Sequence, residues 1–60
     1  MNELQQAAQY LAAEVSATWD EFRRDNPPAG EMKLMGLLSQ GLARQKGERV
    51  ALTDAGRRMA

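Results

Sequence analysis

Residues 36–56 read GLLSQGLARQKGERVALTDAG, and this stretch decides the fold. Gly41 follows an apolar run and suits the left-handed position just past a helix, with Leu42 placed for the hydrophobic contact that accompanies such a stop. Leu42–Lys46 and Arg49–Thr53 then flank Gly47-Glu48. Glycine at the first central position of a two-residue loop suits a type II′ hairpin turn; with Lys46-Gly47 central the turn would be type I′. Val50 and Leu52 alternate with Arg49, Ala51 and Thr53, so one face of the second strand is apolar. Thr53 is placed to cap a final helix opening at Asp54, whose charge suits a helix N-terminus. The stretch therefore predicts a helix end, a β-hairpin over 42–53 and a short terminal helix over 54–60.

Upstream of it, residues 28–40 predict a second helix with Pro28 as its first residue, where the missing N–H costs nothing. Met32, Met35 and Leu38, with Leu34 and Leu37 beside them, give it a broad apolar face. Methionines at this spacing fill cores, and the alternative is an adaptable groove for a partner. Gly36 inside this helix costs about 1 kcal/mol relative to Ala. The reason expected for it is close approach of the first helix, under Trp19.

The remaining segment, residues 1–24, holds neither Pro nor Gly. Leu4, Ala8, Leu11, Val15, Trp19 and Phe22 recur at helical steps, which predicts one long amphipathic helix capped by Asn2 with Gln5 as its reciprocal partner. At ~1.5 Å per residue it would run roughly 33 Å. Trp19 and Phe22 are expected as core anchors, with base stacking as the alternative for the pair. A second stripe of Gln6, Tyr10, Ala13 and Ala17 runs beside the first and is free of charge. It is the expected interface for a homodimer or another partner, because a chain of this size buries only about 60% of its unfolded surface and gains from association. Asp25-Asn26-Pro27-Pro28 ends the long helix. The whole reads as a single α+β domain, mainly helical: long helix, short helix, hairpin, terminal turn.

The distal half, GLLSQGLARQKGERVALTDAGRRMA, resembles that of a winged-helix domain from bacterial transcriptional regulators. Leu38, Gly41 and Leu42 match the end of the recognition helix, Arg44–Arg49 the wing, and Leu52, Thr53 and Gly56 the entry to a closing helix. The resemblance implies that the wing residues Arg44, Lys46 and Arg49 contact phosphate or the minor groove. The chain departs from the family in offering room for one helix, not a helix–turn–helix pair, between Arg24 and Leu42.

Charge adds a physical argument of its own. The chain is formally neutral, but residues 1–30 hold five carboxylates and two arginines, net −3, while residues 31–60 hold six basic and three acidic side chains, net +3. Arg44, Lys46, Arg49, Arg57 and Arg58 are the cations that could neutralise phosphates of duplex DNA and give salt-dependent binding. The opposing reading has the hairpin cations guarding an exposed edge strand. Lys33 alone is basic on the second helix, which counts against base readout there.

Much chemistry is left without residues to carry it. There is no His and no Cys, so the commonest general base, thiolate chemistry and disulfides are unavailable. Ser16 and Ser39 have no triad partner, and no phosphate-binding glycine loop is present. The expectation is a protein without enzymatic activity, metal or cofactor. No apolar run reaches the ~18 residues a membrane span needs, and no secretory leader pattern is read at the start, so a cytoplasmic protein is expected. Two functions follow: nucleic-acid binding in transcriptional control, or a small protein-interaction module, such as an inhibitor or adaptor that a phage directs at a host protein.

Overall fold

The apolar stripe of residues 1–24 does not build one helix. The computed structural model describes residues 3–60 and divides that stretch into three elements: α1 (Glu3–Glu14), β1 (Ala17–Thr18) and α2 (Trp19–Asp25). The expected Asn2 cap lies outside the described residues. The break has a local cause. Thr18 accepts from the Glu21 backbone N–H at 3.2 Å, and Glu21 Oε1 accepts from the Thr18 backbone N–H at 2.9 Å. This reciprocal capping box satisfies two donors of a new helix start. Val15 takes the strain of the junction: its φ is +69°, unusual for a β-branched residue, and it is 77% exposed. It is therefore not the core residue that the periodicity predicts.

A second helix pair follows. After Asn26 the chain turns through Pro27 and Pro28 into α3 (Gly30–Ser39), with Ala29 at its N-cap in the left-handed region. Pro28 thus precedes the helix instead of opening it. The reason is proximity: a Cβ on Gly30 would lie 3.0 Å from the Arg23 Cα, so α3 starts directly against α2. Asn26 Nδ2 donates to the Phe22 carbonyl at 3.0 Å and closes the end of α2. Between Arg24 and Leu42 the chain thus carries one whole helix, α3, as the sequence suggests, and the helix that precedes it, α2, is cut from the predicted long first helix.

The distal stretch folds as its residues predict. The Leu42 N–H donates to the Leu37 carbonyl at 2.9 Å and the Gly41 N–H to the Leu38 carbonyl at 3.2 Å, with Gly41 at φ +72°. That is the Schellman stop, which satisfies carbonyls left over at the end of α3. β2 (Ala43–Lys46) and β3 (Arg49–Leu52) form the hairpin. Gly47 has φ +62° and Glu48 does not share it, the sign pattern of the type II′ alternative. The register pairs Ala43 with Leu52, Arg44 with Ala51, Gln45 with Val50 and Lys46 with Arg49. β1 adds to the other side of β3, so the antiparallel sheet has the order β1-β3-β2. α4 (Asp54–Met59) closes the chain, capped by Thr53, whose hydroxyl oxygen accepts from Gly56 N–H at 3.2 Å.

The core lies between α1, α2, α3 and the inner face of the sheet. Phe22, Leu11, Leu34, Leu37 and Val50 are its largest fully buried side chains. Each contributes roughly 1.5–3 kcal/mol by leaving water. Leu4 lies over Gly36, where an added Cβ would be 3.0 Å from Leu4 Cδ2. Gly36 does admit the first helix, but under Leu4 and not under Trp19. Among the described residues no buried side-chain polar atom lacks a partner, and no helix is long and apolar enough to cross a membrane.

Candidate functional surfaces

The hairpin alternation sorts the predicted cations. Ala43, Gln45, Val50 and Leu52 share the inner face, so Arg44, Lys46 and Arg49 share the outer one. Arg44 and Lys46 are exposed on β2, an edge strand, and have no acidic partner among the described residues. Arg49 differs. Its Nε donates to Ser16 Oγ at 2.8 Å, its Nη2 to the Ser16 carbonyl at 3.2 Å, and Glu21 Oε1 is 3.7 Å away. Arg49 thus ties β3 to the α1–β1 junction and is only partly available to a ligand. The bond from the Thr18 backbone N–H first, with the Thr18 side chain and then Arg49 and Arg24, holds the Glu21 carboxyl below its ordinary range against an opposing desolvation.

The two cations of α4 stand elsewhere. Arg57 pairs with Asp54 at 3.3 Å and borders a hollow of about 190 Å³ with Leu11, Ala12, Val15 and Leu52. Arg58 is exposed on the same short helix. Of the five predicted phosphate contacts, the structure brings together Arg44 and Lys46, sets Arg49 beside them in bonds of its own, and puts Arg57 against α1.

The stripe of Gln6, Tyr10, Ala13 and Ala17 is not one surface. Gln6 and Ala13 are exposed on α1, but Ala17 is 1% exposed in β1. Tyr10 turns inward: its ring meets Phe22 edge to face at 5.5 Å, and its hydroxyl donates to Asp25 Oδ2 at 2.8 Å. Burial first, and then the bond to Asp25 and that carboxylate's charge, push the Tyr10 hydroxyl up to about 12. The same bond, with Arg24 helping, holds Asp25 low. The helix break is the physical reason for the dispersal, since residues 15–18 no longer continue the 3.6-residue repeat.

Two residue sets that the sequence points to as core take other positions. On α3, Leu34 and Leu37 fill the core, whereas Met32 and Met35 are 72% and 54% exposed. They are not the core filler that their spacing suggests. They stand beside Glu31, so the exposed start of α3 offers thioethers and a carboxylate. The other feature is Trp19, half-buried at the rim of the core with its indole N–H directed to Gln45 Oε1 at 3.4 Å. The Met spacing was the only available signal for the first, and the T-x-x-E capping pattern at 18–21 was the signal for the second.

Among the described residues no group of three or more acidic side chains is arranged to hold a metal ion. No protein-family model, curated protein or solved structure matches the chain.

Proposed function

We propose that this protein is a small winged-helix-like module that binds duplex nucleic acid through its β2–β3 hairpin and acts in transcriptional control. The observation that carries the reading is the pair Arg44 and Lys46: exposed, two residues apart on one face of an edge strand, and without acidic partners. The element order α1-β1-α2-α3-β2-β3-α4 supports it, with two consecutive helices followed by a hairpin. Contacts from such cations go to phosphate and carry no base information. Two phosphate contacts imply a loss of roughly tenfold in affinity between ~50 and ~200 mM salt. Anisotropy titrations with a labelled duplex should give that slope, and Arg44→Ala with Lys46→Ala should flatten it. Absence of binding at low salt overturns the reading.

A second reading is favoured by α3. Met32 and Met35 are exposed where a groove-reading helix needs Arg, Asn or Gln, and Glu31 would repel phosphate. Polarizable, flexible thioethers suit an adaptable protein-docking face. A partner that binds the unaltered chain, and is lost on Met32→Lys with Met35→Lys while salt-dependent DNA binding persists, would establish this role.

A further inference from the structure

A cleft of about 400 Å³ opens between the start of α2 and the tip of the hairpin, lined by Thr18, Trp19, Asp20, Gln45, Gly47 and Glu48. Its Gln45 wall faces away from Arg44 and Lys46, with which Gln45 alternates along β2, while Thr18 stands opposite Arg49 in the register. One wall is the half-buried Trp19 indole. Its position is fixed from the hairpin side: the indole N–H donates to Gln45 Oε1 at 3.4 Å, while Gln45 Nε2 donates to the Gly47 carbonyl at 3.1 Å. None of the lining residues is basic, and two are carboxylates. Asp20 is engaged by Arg23, but Glu48 has no ion-pair partner among the described residues.

This combination selects a ligand class. An indole face attracts a cation through its quadrupole. Two carboxylates in the same cleft repel a phosphate-bearing chain, which removes base stacking as the role of Trp19. A guanidinium fits better than an ammonium, because it is planar, stacks on aromatic faces and presents a fork of donors to a carboxylate. We infer that the cleft binds an arginine side chain presented by an exposed segment of a partner protein, with the guanidinium stacked on Trp19 and paired with Glu48. The site uses other side chains than the proposed phosphate contacts Arg44 and Lys46.

Trp19 is the sole tryptophan, so its fluorescence reports the site directly. The probe is the peptide acetyl-Gly-Arg-Gly-amide, titrated at constant ionic strength against the same peptide with citrulline, a neutral isostere, or with lysine. The expected result is a saturable change with the arginine peptide in the millimolar range. Citrulline should bind about tenfold more weakly or worse, and lysine measurably more weakly. Glu48→Gln, in an exposed turn, should weaken the arginine peptide by about threefold or more while leaving the circular dichroism unchanged. A linear, non-saturating change overturns the assignment, as does equal binding of citrulline or indifference to Glu48→Gln. A lysine peptide that binds as well as arginine overturns the guanidinium fork.

Discussion

Gly56 shows how one residue can hold two elements together. A Cβ there would lie 2.0 Å from the Leu42 carbonyl oxygen and 2.8 Å from Leu52 Cδ2. The oxygen cannot move aside freely, because it accepts the Thr53 N–H at 3.0 Å. The clash is with backbone, so relief requires α4 to leave the hairpin. Gly56→Ala should destabilise the protein by roughly 3 kcal/mol or more, read as a lowered urea midpoint. At this scale the sequence was readable where a residue's role is set by its neighbours in the chain. Gly41 and Thr53 do what their positions suggest. Val15, Ala17 and Arg49 do not, because their fates depend on where the first helix stops. That stop also turns Arg49 toward Ser16, and no count of charges along the chain contains it.

Among elements, α2 depends on its first turn. Thr18 is both the last residue of β1 and the cap of α2, so one side chain ends a strand and starts a helix. Thr18→Ala removes the acceptor for the Glu21 N–H and should cost about 1 kcal/mol. Hydrogen exchange should then show the first turn of α2 losing protection ahead of α3. The hairpin was legible, but its register was open between Gly47-Glu48 and Lys46-Gly47 as the central pair, and the pairing of Lys46 with Arg49 decides for the first. The helix break was not legible, for a physical reason: α1 and α2 both bury apolar residues in the same core, so the stripe runs on through a junction that it does not describe. The candidate surfaces shared this limit. Arg44 and Lys46 follow from strand alternation alone, but the cleft at Trp19 exists only because α2 begins there.

For the molecule as a whole, the joint between α1 and α2 makes stability depend on pH at both ends of the scale. Tyr10 ionises at about 12 instead of 10.0, so the folded state holds the phenolic proton more tightly. Its contribution is fully present below pH 10.0 and is lost as pH rises through about 12. Asp25 and Glu21 act in the opposite sense. Both are held below their ordinary values of 3.8 and 4.5, so their contributions are present above those values and are lost as pH falls further. Ultraviolet titration of the single tyrosine should find its midpoint near 12. Asp25→Asn should bring that midpoint part of the way back, leaving the larger contribution of burial in place. A midpoint near 10 in the unaltered protein would mean that neither the burial of Tyr10 nor its bond to Asp25 persists in solution.

Gln5 Nε2 donates to the Met59 carbonyl at 3.3 Å, joining positions 54 residues apart. α1 also packs on α3, β3 and α4, so the first described helix finds its neighbours in the later part of the sequence. Such pairings are non-local, and their loop entropy is met before their contacts form. In the cell this sets an order of events. Ala7, Ala8 and Leu11 of α1 stay uncovered until α3 and β3 have followed them from the ribosome, and the bond from Gln5 to Met59 closes last.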